Sequence, residues 1–233
     1  ISELKAIPNQ SGDINIFFTS STFTFPQERA MKIASRIIEE NLRYRYGAYG
    51  RVQDISQELV EILKSANFYW LFIGLESMDE KVLRLAKKMT TPDQIEKAIR
   101  LSVNAGIITD CSFIMGLPGE NQQSAKKIAE FLQQPYIGRY CLFPLVDMDT
   151  SDLATQPDAY NFKRKDYMNW THPDMSSKEV PLVMADIIME ANKANHSYST
   201  IIIDMLIGNR ISSDPLTSVL HADIRPFCLL MET

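Results

Sequence analysis

The stretch that decides the fold is an apolar run that ends on an acid, Phe68-Tyr69-Trp70-Leu71-Phe72-Ile73-Gly74-Leu75-Glu76. Its length and its aromatic and β-branched content are typical of a strand buried on both faces, as in a parallel sheet. Five apolar, strand-like segments of this kind occur along the chain. The first begins at Ile14 and the fifth at Arg139, so four intervals from one segment to the next span 139 − 14 = 125 residues. A step of about 31 residues is the size of one βαβ unit. The predicted strands are Ile14–Phe18, Tyr44–Tyr49, Phe68–Leu75, Ile108–Met115 and Tyr140–Val146.

Helix-start signals lie between these strands. Thr91-Pro92-Asp93-Gln94 has the pattern of a capping box with proline at the first helical position. Ser56 and Asn121 are suitable caps for helices predicted over Gln57–Ala66 and Gln122–Leu132, and Pro26 suits the start of another. A complete eight-fold barrel at this spacing needs about 250 residues, so five units predict either an incomplete barrel or an open sheet.

The alternation stops near Asp147, where a polar stretch begins. We therefore predict an α/β fold, a partial TIM-like barrel of about five β/α units over residues 1–147, followed by a C-terminal extension over residues 148–233. The extension is expected to be mainly helical, with helices at Lys178–Asn195 and Thr200–Ile207.

Composition excludes several classes of protein. The 233 residues include 24 Lys and Arg against 29 Asp and Glu, a net charge of −5 with a pI of about 5.3, which argues against a nucleic-acid-binding protein. No apolar run approaches the roughly 18 residues of a membrane span. Three widely spaced cysteines, Cys111, Cys141 and Cys228, suit reduced thiols and predict a cytoplasmic protein.

Polar residues at the ends of the predicted strands are the candidate site, because β/α folds place their chemistry at the carboxyl ends of the strands. Ser20 lies in a run of four hydroxyls after the first strand and could face a ligand or cap the next helix. Arg51 follows the second strand, where it could bind a carboxylate or phosphate, or pair with Asp54.

Glu76 is the most informative of these residues, because a carboxylate that leaves a buried strand is costly unless it is paired or used. The alternative is an ion pair with Lys87 or Lys88. The fourth strand runs into the turn Gly116-Leu117-Pro118-Gly119-Glu120, which brings backbone close to a ligand or is only a bend.

Later residues give weaker signals. Asp147 and Asp149 could bind a cation or substrate, or could be solvated. His172 has no second ligand at metal-binding spacing, which leaves a role as a proton carrier. Cys111 and Cys141 are expected to be small buried side chains.

Four segments together resemble radical S-adenosylmethionine enzymes in order and spacing: Ile16–Phe23, Tyr49-Gly50-Arg51, Phe72-Ile73-Gly74-Leu75-Glu76-Ser77 and Phe113-Ile114-Met115-Gly116-Leu117-Pro118-Gly119-Glu120. The segment Trp170-Thr171-His172-Pro173-Asp174-Met175 resembles a W-x-H-x-T-M element of members with an upstream cobalamin-binding domain, with Asp174 in place of the usual Thr.

This resemblance implies a partial (βα)6 barrel that holds a 4Fe-4S cluster and S-adenosylmethionine, with cobalamin as a further cofactor in that subgroup. It implies an oxidoreductase-type enzyme in which the cluster, reduced by a donor such as flavodoxin or ferredoxin, breaks the sulfonium bond. The resulting deoxyadenosyl radical abstracts hydrogen from a small-molecule or peptide substrate, or the enzyme transfers a methyl group to that substrate. By position, the resemblance implies that Glu76 contacts the ribose or amino group of S-adenosylmethionine and that Arg51 contacts its carboxylate. Ile114, Gly116 and the Phe143 backbone would flank the adenine. Ser20 would face the same cavity.

The decisive departure of the sequence from this family is that it has no CxxxCxxC motif to hold the cluster. The first barrel strand, the loop with the cluster ligands and any cobalamin domain are therefore expected upstream of Ile1, and the chain alone is expected to be inactive. Two other functions remain open on the residues themselves. One is a metal-independent β/α-barrel lyase or hydrolase with Glu76 and Asp147 or Asp149 as acid and base. The other is a catalytically silent binding domain.

Overall fold

A five-stranded parallel sheet organises the part of the chain that the computed structural model describes, residues 1–7 and 14–193. Its strands are β1 (Asn15–Phe18), β2 (Arg45–Arg51), β3 (Phe68–Glu76), β4 (Ile108–Met115) and β5 (Arg139–Pro144). Their order in space is the order in the chain, and each neighbouring pair is parallel. The predicted α/β fold with five β/α units is confirmed, and the run that begins at Phe68 is the central strand.

The connections are helical: α1 (Ser2–Ala6), α2 (Gln27–Glu39), α3 (Gln57–Ser65), α4 (Glu80–Leu85), α5 (Pro92–Asn104) and α6 (Gln122–Leu132). The Thr91 capping box is confirmed, because the Gln94 amide donates to Thr91 Oγ1 at 3.3 Å and the Thr91 amide donates to Gln94 Oε1 at 3.0 Å. Ser56 caps α3 as predicted. The short helix α4 has no counterpart among the predicted elements.

The two faces of the sheet differ in burial. Leu71, Ile73 and Leu75 of β3 are fully buried, whereas Trp70 and Phe72 on the opposite face are half-buried. Right-handed crossovers between sequential parallel strands place their helices on one face. The other face, here called the inner face, carries a row of rings whose neighbouring centroids are 4.9–6.2 Å apart: Phe17, Tyr49, Trp70, Phe72 and Phe143.

Beyond β5 the chain forms α7 (Asp152–Thr155), an antiparallel sheet of β6 (Lys163–Asp166), β7 (Asn169–His172) and β8 (Met175–Ser176), and then α8 (Val180–Asn192). The extension was expected to be mainly helical, and this three-stranded sheet was not predicted. Helix α8 lies within the predicted Lys178–Asn195 helix, with Pro181 in its first turn. The predicted Thr200–Ile207 helix and Cys228 lie outside the described residues, and the division at residue 147 stays a prediction.

Candidate functional site

Glu76 ends the central strand in a left-handed conformation, with φ of 69°. The register of β3 against β4 shifts between Gly74 and Glu76. Gly74 allows this arrangement, since a Cβ atom there would lie 2.7 Å from Glu76 Oε1. The carboxylate is 11% exposed and accepts a 2.8 Å ion-paired hydrogen bond from Lys88 Nζ. The alternative predicted for Glu76, a pair with Lys88, is thus present, and it lies at the rim of the sheet where a ligand can reach both groups.

A cleft of about 230 Å³ opens beside this pair. We call it the Glu76 cleft. Its walls are mostly aliphatic, and it also contains a second ion pair between Lys87 and Asp152. The lining residues are Glu76, Leu85, Ala86, Lys87, Lys88, Ile114, Leu117, Pro118, Leu145, Ser151, Asp152, Leu153 and Tyr160. The cleft therefore combines opposite charges at one place with an apolar surface at another.

The turn after β4 forms part of this wall, and Gly116 is its first residue. Gly116 has φ of 100°, in the region that favours glycine. Its N–H donates to Glu120 Oε2, and its carbonyl accepts a hydrogen bond from His172 Nε2 at 3.2 Å. Glu120 has no exposed surface, and its Oε1 atom has no hydrogen-bond partner among the described residues. Burial raises the pKa of Glu120 to about 7, against the opposing effect of the Gly116 and Leu117 amides.

The other residues predicted at the site are placed differently. Ile114 lines the cleft and pairs in register with Phe143, whose ring contacts Phe72 on the inner face. Ser20 is exposed after β1 and does not line the cleft. Arg51 does not line it either, because its Nε and Nη2 atoms donate to Asp54 at 2.9 and 2.7 Å. The structure thus contains the Asp54 pair that was the alternative for Arg51.

The two aspartates after β5 are structural in this conformation. Asp147 is fully buried, and Arg164 pairs with it at 3.2 Å and also with Asp149. Neither aspartate lines the Glu76 cleft. The structure therefore does not bring them together with Glu76 as the acid and base of a lyase or hydrolase.

Cys111 and Cys141 are both buried, as expected. Cys141 pairs in register with Ser112, the residue after Cys111, so the two thiols point to opposite faces of the sheet. Burial raises the pKa of the Cys111 thiol above its ordinary value. Within residues 1–7 and 14–193, no group of three or more His, Cys, Asp or Glu side chains could hold a metal ion. The same residues include no helix long and apolar enough to span a membrane.

The family is decided by sequence comparison. The model of the Radical SAM superfamily matches residues 1–132, more than half of the chain. The chain belongs to the radical SAM superfamily. Its relatives in this superfamily are enzymes, among them methyltransferases and cyclases. The resemblance to this superfamily is therefore confirmed, and the described residues have the expected α/β fold with five parallel strands.

Two curated relatives illustrate the similarity. The uncharacterized methyltransferase PH0819 of Pyrococcus horikoshii is 28% identical over 134 residues, which cover 58% of this radical SAM chain and 29% of the relative. The anaerobic magnesium-protoporphyrin IX monomethyl ester cyclase of Rubrivivax gelatinosus is 21% identical over 176 residues, or 72% of this chain and 31% of the cyclase. The chain thus spans about a third of the length of these relatives.

Solved structures share the fold. Coproporphyrinogen III oxidase (HemN) of Escherichia coli, described as a radical SAM enzyme, matches with a TM-score of 0.59 at 16% identity, over 76% of this chain and 40% of the oxidase. The radical S-adenosylmethionine methyltransferase TsrM of Kitasatospora setae, with cobalamin and a [4Fe-4S] cluster bound, matches with a TM-score of 0.58 at 17% identity, over 61% of this chain and 28% of TsrM. At these identities the matches establish the barrel-like fold alone.

Proposed function

We propose that this chain forms part of the S-adenosylmethionine site of a radical SAM enzyme, which cleaves the cofactor reductively for hydrogen abstraction or methyl transfer on a small-molecule or peptide substrate. The observation that carries the proposal is the Glu76–Lys88 pair, 2.8 Å apart at the carboxyl end of the central strand, beside an apolar wall. In this family S-adenosylmethionine supplies the group that reacts after one-electron reduction.

The donor set of the cleft fits the two chemically distinct parts of S-adenosylmethionine. Its methionyl end carries an ammonium and a carboxylate, for which Glu76 and Lys88 are complementary charges. Glu76 can also accept hydrogen bonds from ribose hydroxyls. Ile114, Leu117 and Leu145 offer an apolar surface for the adenine. The cleft volume of about 230 Å³ lies below the roughly 300–1,000 Å³ of complete ligand pockets, so it suits only a part of the molecule.

The remaining site residues keep their implied roles as proposals. Gly116 would shape the adenine wall together with Ile114, and the Phe143 backbone would lie beside them. Ser20 would face the same cavity from the end of β1. Arg51 could bind the carboxylate only if it released Asp54, and for this reason the proposal assigns the carboxylate first to Lys88, which already lies at the cleft.

The cysteines of this chain do not fit a 4Fe-4S cluster. The sequence lacks CxxxCxxC, and the two described cysteines point to opposite faces of the sheet. The proposal therefore gives the cluster no ligand in this sequence and treats the chain alone as inactive, with the complete protein active in the cytoplasm. Such a protein would need an electron donor such as flavodoxin or ferredoxin. The Trp170-Thr171-His172 element and the cobalamin-bound TsrM structure support cobalamin as a further cofactor.

The test is Glu76→Gln in the full-length protein, which keeps the shape of the side chain and removes its charge. We expect S-adenosylmethionine, titrated calorimetrically without reductant, to bind about 10- to 30-fold more weakly, because hydrogen bonds to charged groups are roughly twice as strong as neutral ones. Release of 5′-deoxyadenosine after reduction, measured by mass spectrometry, should fall as well.

Glu80→Gln is the matched control, since Glu80 is exposed in the first turn of α4 and does not line the cleft. Its affinity should equal that of the wild type. Equal affinities for Glu76→Gln and wild type, or a wild-type protein that binds no S-adenosylmethionine, would contradict the proposal.

A further inference from the structure

The antiparallel sheet β6–β8 holds the Gly116 turn through two residues of β7. His172 Nε2 lies 3.2 Å from the Gly116 carbonyl oxygen. The Trp170 indole lies directly over Gly116, where a Cβ atom would be 2.3 Å from its Cη2 atom. Neither side chain lines the Glu76 cleft, but Gly116 lies between Ile114 and Leu117, which do. The sheet therefore contacts the wall of the cleft from behind.

Trp170 is itself fixed from three sides. Its ring stacks on His172 with centroids 5.6 Å apart and an interplanar angle of 8°, and on Phe162 at 5.7 Å. Its Nε1–H donates to the Leu145 carbonyl at 3.0 Å. Leu145 lines the cleft, and its own amide donates to the Met115 carbonyl at 2.8 Å. The indole thus connects two segments of the cleft wall, the turn after β4 and the end of β5.

The proton on His172 is assigned by its neighbours. The Asp174 amide donates to Nδ1 at 3.3 Å, so Nδ1 acts as the acceptor of a neutral ring. The hydrogen is then on Nε2, which donates to the Gly116 carbonyl. A donor held in this way fixes the carbonyl that precedes Leu117, much as outer groups orient the ligands of a metal.

We propose that Trp170 and His172 are positioning residues for the S-adenosylmethionine site: they hold Gly116, and with it the wall formed by Ile114, Leu117 and Leu145, without touching the ligand. This inference rests on the proposed function of the Glu76 cleft. The antiparallel sheet would then contribute to cofactor binding indirectly, by fixing the position of the cleft wall.

The experiment compares two variants of the full-length protein that differ in reach. His172→Gln places an amide N–H near the position of Nε2 and should keep the bond to Gly116. His172→Asn is too short to reach it. The control is Thr171→Val, because Thr171 is exposed on the same strand between the two positioning residues. Each protein is measured for S-adenosylmethionine affinity by calorimetry without reductant, and for hydrogen exchange of the segment 114–120 without ligand.

We expect His172→Asn to bind S-adenosylmethionine about tenfold more weakly, the equivalent of one lost hydrogen bond, and to exchange faster in the segment 114–120. His172→Gln and Thr171→Val should stay within about threefold of the wild type. A merely structural role for His172 would lower the thermal midpoint of His172→Asn and leave its affinity unchanged.

The possible failures are distinguishable. A wild-type protein that binds no S-adenosylmethionine would overturn the proposed function. A binding wild type with unchanged affinity in His172→Asn would overturn the positioning role alone. An equal loss in His172→Gln and His172→Asn would also overturn it, because the hydrogen bond to Gly116 would not be the cause.

Discussion

Replacement of Gly116 by alanine is expected to lower the free energy of unfolding by about 2–5 kcal/mol. Two costs add at this position. The backbone φ of 100° disfavours any residue with a Cβ atom, by about 1–2 kcal/mol. The new methyl group would also lie 2.3 and 2.6 Å from two atoms of Trp170 and 3.1 Å from Val180 Cγ2. Overpacking of this kind costs about 1–3 kcal/mol.

Urea unfolding followed by tryptophan fluorescence measures this effect, and Gly138→Ala is the matched control. Within residues 1–7 and 14–193, a Cβ atom at Gly138 would have no neighbour within 4 Å, and Gly138 has no positive φ. Its replacement should change stability by less than about 0.5 kcal/mol. Trp170→Phe in the Gly116→Ala background should recover the packing part of the loss and not the backbone part. Additive effects of the two substitutions would contradict contact between these residues.

The parallel sheet was predictable because its signals are local. Strand β3 is a nearly continuous apolar run. Three of the longer helices have N-caps that are recognisable in the sequence, at Ser56, Thr91 and Asn121. The helix Gln122–Leu132 was predicted with the bounds that the structure has. The antiparallel sheet gave no such signal. Strand β6, Lys163–Asp166, is exposed throughout and has no apolar alternation, so its existence depends on pairing with Asn169–His172.

Glu76 was identified from the sequence, but its partner was not. Lys87 and Lys88 are both lysines and are adjacent in the chain, so the sequence does not show which of them pairs with Glu76. The structure separates them because Lys87 pairs with Asp152, which is 65 residues away, after β5. That contact leaves Lys88 for Glu76. For Arg51 the partner is close in the chain. Its guanidinium pairs with Asp54, although the family resemblance assigned it to the carboxylate of the cofactor.

The sequence indicated Glu120 only as the last residue of a turn. Nothing local shows that a glutamate after Gly119 is fully buried, because the turn packs against residues that are distant in the chain. Leu85 of α4 lies beside Gly119, and Trp170 and Val180 lie beside Gly116. The same packing places Trp170 and His172 on Gly116, from positions 54 and 56 residues later. The wall of the Glu76 cleft thus depends on both the parallel-sheet region and the extension that follows β5. The sequence predicted the parallel sheet but not the antiparallel one.

The buried Glu120 should make the stability of the protein depend on pH between about 5 and 8. Its pKa is raised from 4.5 to about 7 in the folded state. A carboxyl group whose pKa is raised by folding stabilises the protein fully at pH values below its pKa in the unfolded state. This stabilisation is lost as the pH rises through its pKa in the folded state. The wild type should therefore lose up to about 2–3 kcal/mol across this range from this group. Glu120→Gln cannot titrate, and its amide oxygen can still accept the Gly116 N–H.

The measurement is urea unfolding at pH 5, 6, 7 and 8 for the wild type and for Glu120→Gln. At pH 5 the two proteins should be similarly stable, since a protonated carboxyl and an amide are close in shape and charge. At pH 8 the variant should be the more stable protein, because the wild type then holds a buried carboxylate, one oxygen of which has no partner in the part of the chain that the structure describes. The control, Glu130→Gln, changes an exposed residue of α6 and should follow the wild type at every pH. A Glu120→Gln protein that keeps the wild-type slope would show that the pH dependence comes from another group, and that the Gly116 turn does not contain an ionisable site near neutral pH.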